Sequence, residues 1–274
     1  MRGPGGLPLL SLIRPAACYA PAPRVLGVTM RPLQAKDREA DPELPTGDAK
    51  TAMVRSMFDA IAWRYDLVNR MMTFGLDGLW RRRTVTALGL PPGSVVVDLG
   101  CGTGDLCRML EARHMQAIGI DLSAGMLSLA KDASRLVQAD ASHLPLEASS
   151  VDGATSGFAL RNFTHLDSVL AELARVVRPG GRIALLEVST PGSALLRLGH
   201  RLWFDHAVPV IGGLMSSPQA YRYLPRSVAY LPDPENLRSM VRQAGFSGVN
   251  RRTLAGGAIQ LITATRAGAP SEAS

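Results

Sequence analysis

The run VVVDLGCGTGD, from Val95 to Asp105, constrains this chain more than any other stretch. Small β-branched residues lead into Asp98, then Gly100, Gly102 and Gly104 alternate with other residues, and a helical pattern opens near Asp105. That order predicts a strand, a tight loop and a helix N-terminus. Glycine lets the backbone approach a ligand and take positive φ, and the first helical turn leaves N–H groups unpaired, so the loop is suited to binding. The spacing is G-x-G-x-G, with an acid at the strand end and Thr103 between the last two glycines. Pyrophosphate sites use G-x-G-x-x-G, so a dinucleotide is not the expected ligand.

Two more strand ends point the same way. AIGID ends in Asp121, and LVQAD ends in Asp140 with Ala141 and Ser142 beside it. In a doubly wound parallel sheet an acid about 20 residues past the glycine loop meets ribose hydroxyls, and successive strand ends share one crevice. A glycine loop alone reads equally well as a structural turn; the acids in register favour a nucleotide, with Asp140 and Ala141 at the adenine. The form D-L-G-C-G-T-G-D resembles the nucleotide-binding motif of class I S-adenosylmethionine-dependent methyltransferases. The resemblance implies S-adenosyl-L-methionine as cofactor, held by Asp98, Gly100, Gly102, Thr103, Asp121, Asp140, Ala141 and Gly157.

Short β-branched runs alternating with helical patterns predict an α/β fold, a mostly parallel sheet with helices on both faces. Strands are expected near 95–100, 116–121, 136–140, 151–158, 181–189 and 257–265, and helices near 104–113, 124–132, 165–177 and 233–244. The last strand is expected to be antiparallel and at the edge. Residues 51–266 thus form a Rossmann-like methyltransferase domain. Its helical cap comes from 51–89, where Met53, Met57, Ile61, Tyr65, Val68 and Met72 recur at helical spacing, and from an aromatic and apolar insertion at 190–232. That insertion suits either a cap over the sheet's carboxyl edge or an interface with a second copy, a homodimer.

Residues 1–50 are rich in Pro, Gly and Ala, contain no acid before Asp37, and read as a tail; 267–274 read as a flexible C-terminus. The tail is either an organelle transit peptide or sequence ahead of a start at Met30. Its apolar pieces are too short to span a bilayer, which places the chain in the cytoplasm or, with a transit peptide, in an organelle. Cys18, Cys101 and Cys107 give neither a paired framework nor a zinc pattern, so no metal is expected. A net charge of +7 raises nucleic acid or an anionic membrane as partners. The arginine clusters at 81–83, 222 and 226, and 251–252 lack interleaved aromatics. Nucleic acid is therefore excluded in favour of peripheral contact with a membrane surface.

The runs YDLVNRMMTFGLDGLW (Tyr65 to Trp80) and RVVRPGGRIALLEVS (Arg175 to Ser189), with Arg161-Asn162 in GFALRN and Tyr221-Arg222-Tyr223-Leu224, resemble the ubiquinone/menaquinone biosynthesis C-methyltransferase family. The resemblance covers residues 53 to 265. Asp77 stands where members often carry histidine, and Gly157 where they commonly carry serine, with Ser156 one residue earlier. It implies methyl transfer to a ring carbon of a polyprenylated quinol, demethylmenaquinol to menaquinol or the benzoquinol equivalent. Such a carbon is nucleophilic when its neighbouring hydroxyl is losing a proton, so the site needs a base or a charge-stabilising donor. Asp66 and His206 are the expected proton acceptors, and Arg161 with Asn162 the oxyanion donors. Tyr65, Asn69, Tyr221 and Arg222 are expected to position the ring. An Asp66–Arg161 ion pair and a structural His206 are the plain alternatives. Two other readings stay open: a non-catalytic cofactor-binding scaffold and an O- or N-methyltransferase of the same fold.

Overall fold

The structure, a computed structural model, describes residues 45–130, 133, 135–192, 223 and 226–268. Two helices come first, α1 (Gly47–Met72) and α2 (Asp77–Leu88), so helix begins slightly before the expected end of the tail. The sheet domain then runs β1 (Val95–Leu99), α3 (Asp105–Glu111), β2 (Gln116–Asp121), α4 (Ala124–Leu129), β3 (Leu136–Gln138) and β4 (Val151–Gly157). It continues with α5 (Leu166–Val176), β5 (Val177–Val188), α6 (Pro234–Gln243), β6 (Phe246–Leu254) and β7 (Ile259–Arg266).

The seven strands order as β3-β2-β1-β4-β5-β7-β6. β1 pairs in parallel with β2 on one side and β4 on the other, so the order reverses at β1 and opens a crevice at its carboxyl end. Every residue of β1 is buried. Alternation along the strand sends Val95, Val97 and Leu99 into the core beneath α5 and α6, with Leu170, Leu173, Leu237 and Val241. Val96 goes to the opposite core, with Trp80, Leu88, Leu106 and Leu110 from α2 and α3. Asp98 shares that second face, which puts a carboxyl group in an apolar layer.

β7 is antiparallel to β5, as expected, but it is an inner strand: β6 pairs with its far side and forms the edge. The sequence reading missed β6. FSGVNRRTL reads as a loop because it carries Gly248, Arg251 and Arg252 and is buried fully only at Phe246. An edge strand tolerates this composition, and charged side chains there discourage pairing with another chain.

α1 lies across the carboxyl edge and is fastened at several points. Lys50 Nζ donates to the Phe163 carbonyl at 2.8 Å and sits 3.7 Å over the Tyr230 ring. The Thr51 and Thr164 hydroxyls share a 2.7 Å hydrogen bond. Further along, Asp59 accepts from Ser123 Oγ at 2.6 Å and from the Gly125 N–H at 2.9 Å. The backbones of α1 and α4 meet so closely here that a Cβ on Gly125 would lie 3.0 Å from Asp59 Cα. Burial lowers the Lys50 amine to about 8.

Candidate functional site

The glycine loop follows β1 with Gly100, Gly102 and Gly104 all at positive φ, the last as the residue preceding α3. The Gly100 and Cys101 N–H groups both donate to the Ile120 carbonyl, at 2.8 and 3.1 Å, so the loop folds back over β2. Asp121 ends β2 with one carboxylate oxygen accepting from the Gly102 N–H at 2.8 Å and the other from the Ser123 N–H at 2.9 Å. A carboxylate has about four lone-pair positions, so these contacts leave acceptor capacity for a ligand hydroxyl. Burial raises the Asp121 pKa, opposed by these backbone donors. Asp140, past β3, holds the Ser142 N–H and hydroxyl through one oxygen, leaving the other free of intrachain partners among the bonds described.

These groups line a cavity of about 300 Å³. Gly100, Gly102, Asp121, Asp140, Ala141 and Gly157 form one side, Tyr65, Phe58, Val54 and Thr51 of α1 close it above, and Asn162 to His165 form the far wall. Among the described residues the walls carry the carboxylates of Asp48, Asp121 and Asp140 and neither lysine nor arginine. A phosphate-bearing ligand would face uncompensated repulsion, whereas a cationic, diol-bearing one meets acceptors. Apolar Ile120, Leu122 and Ala141 lie beside Asp140 for a flat base. The residues present therefore fit S-adenosyl-L-methionine.

Several expected site residues lie elsewhere. Asp98 does not line the cavity; it sits beneath the loop, accepting from Thr155 Oγ1 at 2.8 Å and the Cys107 thiol at 3.8 Å. Thr103 donates to Asp66 at 2.7 Å, tying the loop to α1, and neither faces the cavity. Asn69 donates to Asp77 at 3.2 Å, and Thr73 does so at 3.0 Å, so Asn69 shapes the α1–α2 turn. Arg161 is buried and pairs with Glu187, not with Asp66; its Nε also donates to Ser227 at 3.1 Å. The Asp66–Arg161 pair is thereby corrected: each has a nearer partner. Asn162 does reach the cavity and accepts from Tyr223 at 3.2 Å. His206, Tyr221 and Arg222, and most of the 190–232 insertion, fall outside the described residues.

Gly157 faces the cavity and Ser156 does not. Successive strand residues point to opposite faces, and Ser156 donates to the Leu99 carbonyl at 2.8 Å inside the sheet. A Cβ at Gly157 would meet Arg81 Nη1 at 3.0 Å and Leu106 Cδ1 at 2.9 Å, so Arg81 and Leu106 crowd the room a serine would need. Sequence reasoning missed Glu187 and Asp59. LLEVS offered the first as an acid closing an apolar strand, a pattern shared with Asp98 and Asp121. Cys101 and Cys107 are free and buried.

Burial pushes the Asp98 carboxyl up to about 7, against the opposing hydrogen bond from Thr155 and the Arg81 charge. The unfolded group ionises near 3.9. Between about pH 4 and 7 the folded chain keeps a proton that the unfolded chain has lost, so this group's contribution to stability falls as pH rises through that window and levels off above it. Asp98→Asn removes the penalty. The variant is expected to be more stable than the parent at pH 8 by on the order of 2–4 kcal/mol, about 1.4 kcal/mol per pKa unit, with the gain vanishing near pH 4. Paired denaturant melts at the two pH values measure this; equal gains at both would refute it.

Residues 46–266 match the ubiE/COQ5 methyltransferase family. The chain is 39% identical over 221 residues to the ubiquinone/menaquinone biosynthesis C-methyltransferase UbiE of Syntrophotalea carbinolica, covering 77% of this chain and 93% of that protein. It is 41% identical over 201 residues to the demethylmenaquinone methyltransferase of Thermus thermophilus, covering 70% and 91%. Among solved structures, phosphoethanolamine N-methyltransferase 2 of Haemonchus contortus, in complex with S-adenosyl-L-methionine, shares the fold with TM-score 0.58 at 15% identity. The match covers 78% of this chain and only 60% of that one. A S-adenosylmethionine-dependent methyltransferase from Thermotoga maritima matches with TM-score 0.57 at 19% identity, over 78% and 99%.

Proposed function

The chain belongs to the ubiE/COQ5 methyltransferase family, and from that premise we propose that it is an enzyme that C-methylates a polyprenylated quinol, demethylmenaquinol to menaquinol, with S-adenosyl-L-methionine as cofactor. The observation that carries the reading is the cavity wall: acids at the ends of successive parallel strands, no cation among the described lining residues, and an apolar roof from α1. When bound, S-adenosyl-L-methionine supplies a methyl group on a sulfonium, which a carbon nucleophile can displace.

In this reading Asp121 accepts the ribose hydroxyls, and Asp140 with Ala141 borders the adenine. Gly100, Gly102 and Gly157 leave room along the floor. Tyr65 and Phe58 press on the quinol ring from α1, and the amide of Asn162 donates to the ring oxygen as charge develops there. Arg161 acts through position: its pairing with Glu187 fixes the short turn that presents Asn162. Among the described residues, His143 and His165 are the histidines lining the cavity. His143 lies beside Asp140 at the adenine end, 3.1 Å from Ser142 Oγ. His165, at the start of α5 in the loop after β4, is therefore assigned the phenol proton. With the cavity roofed by α1, water is kept from the transferring methyl.

The test is transfer of labelled methyl from the cofactor to demethylmenaquinol, to a 6-methoxy-benzoquinol precursor of ubiquinone and to a catechol. Label on the demethylmenaquinol ring supports the proposal. Label on catechol alone overturns it, and the absence of transfer to any acceptor by protein that binds the cofactor favours a scaffold. Relatives named for demethylmenaquinone favour the first acceptor over the second. A polyprenylated acceptor resides in a bilayer, so the enzyme must reach a membrane surface. Among the described residues no helix is long and apolar enough to cross one.

A further inference from the structure

The outer face of α1 and the turn into α2 carry a row of exposed apolar side chains. Trp63 is 63% exposed and Phe74 71%, while Leu67, Met71, Leu76 and Leu79 are between 43% and 52% exposed. Scattered apolar side chains on a surface are ordinary, but a contiguous set is not. Here Trp63, Leu67 and Met71 recur every fourth residue along one helix, Phe74 and Leu76 form the turn, and Leu79 continues onto α2. At about 100° per residue Trp63 falls diametrically opposite Val54, so α1 presents one face to the cavity and the reverse face to solvent.

Phe74 sits in the turn with φ +52, a conformation L side chains seldom adopt. Charge defines the occupant. Between Trp63 and Arg83 the sequence has five arginines and two acids. Both acids turn inward, Asp66 to Thr103 and Asp77 to Asn69, Thr73 and Arg81, which is itself buried and leaves four arginines for the surface. Arg64 stacks 3.8 Å over the Trp63 ring, and exposed Arg70, Arg82 and Arg83 flank the apolar strip, the last two within one helical turn of Leu79. An apolar strip with tryptophan and phenylalanine, edged by arginines, matches the boundary between acyl chains and anionic headgroups. A second copy of this chain would set these arginines against one another.

We infer that the strip Trp63–Leu67–Met71–Phe74–Leu76–Leu79 is the surface by which this protein docks on an anionic lipid bilayer, seating the cavity's roof helix at the membrane where its acceptor resides. The inference rests on the quinol reading only for its purpose; the docking itself is measured without turnover.

The experiment is co-sedimentation of the full chain with vesicles of phosphatidylcholine alone and with added phosphatidylglycerol. The parent is expected to bind the anionic vesicles and to lose binding as salt is raised. Trp63→Ser and Phe74→Ser are each expected to weaken binding roughly tenfold, in line with losing one large buried apolar side chain, and Arg82→Glu with Arg83→Glu by a comparable factor. The serine variants should melt at or above the parent temperature. Methyl transfer to a short-tailed, water-soluble demethylquinol should be unchanged in them, while transfer to the long-tailed acceptor in vesicles falls. Unaltered vesicle binding by both serine variants would overturn the proposal. So would a lowered Tm in those variants, which would mean the strip packs against this chain, or a parent dimer that the same variants dissociate. If no quinol is turned over at all, the vesicle result still stands or falls alone.

Discussion

Gly100→Ala is expected to abolish detectable cofactor binding and with it methyl transfer. The backbone at Gly100 has φ +63, and a Cβ built there lies 2.5 Å from the Ala159 Cβ, a separation carbon atoms do not sustain. Ala159 sits in the wall between β4 and the Leu160–Asn162 turn, itself buried, so neither side can give way without moving the loop or Asn162. Left-handed φ costs an alanine roughly 1–2 kcal/mol, and overpacking adds about 1–3 kcal/mol. Together these correspond to roughly a hundredfold or greater loss of affinity if they fall on the cofactor-bound conformation. Gly180→Ala separates the two effects. Gly180 also has positive φ, +77, but nothing lies within 4 Å of its built Cβ, so it carries the backbone cost without the clash and away from the cavity. Parent-like affinity in Gly100→Ala would show that the loop does not form the cofactor floor.

Glu187→Ala is expected to be the most destabilising single change at a charged residue. Glu187 is fully buried, and its two oxygens engage the Arg161 guanidinium, the Arg161 N–H at 3.2 Å and the Val188 N–H at 2.8 Å. Removing it leaves the Arg161 charge buried with only Ser227 as a described side-chain partner. Breaking a buried pair from one side typically costs 3–5 kcal/mol. A domain of this size loses about 2–4 °C of Tm per kcal/mol, so a drop on the order of 10 °C is expected. Replacing both partners, Arg161→Met with Glu187→Leu, should recover most of the stability, because no unpaired charge remains. The double variant should still methylate poorly, since the turn carrying Asn162 has lost its anchor. A single variant that melts within a degree of the parent would refute the account.

Much of this was legible in the sequence because it resides in local patterns. The glycine loop, Asp121 and Asp140 are each fixed by a strand ending where a loop begins, and a parallel sheet has no choice but to bring such ends together. The tertiary partners were not legible. Asp66, Thr103, Arg161 and Glu187 were all visible as polar residues in suggestive places, but which of them pair is decided by contacts across 26 or more positions in the chain. Asp66 stands within reach of Thr103, and Arg161 of Glu187, so the alternative of an Asp66–Arg161 pair has no member to spare. The edge strand β6 was hidden for another reason: its identity as a strand comes from hydrogen bonds to β7, not from its own mixed composition. Asp59 carries no local signal either; its role comes from α4, where Ser123 and Gly125 donate to it.

The central claim is that a sulfonium nucleotide is held by these strand ends, and titration calorimetry of the full chain with S-adenosyl-L-methionine tests it most directly. The account predicts one site per chain, with Asp121→Ala weakening it at least about tenfold, in keeping with 1.5–3 kcal/mol for hydrogen bonds to a charged group, and with no heat from a nicotinamide dinucleotide. A folded parent that takes up no S-adenosyl-L-methionine, or an Asp121→Ala variant that binds it as tightly as the parent, would contradict it.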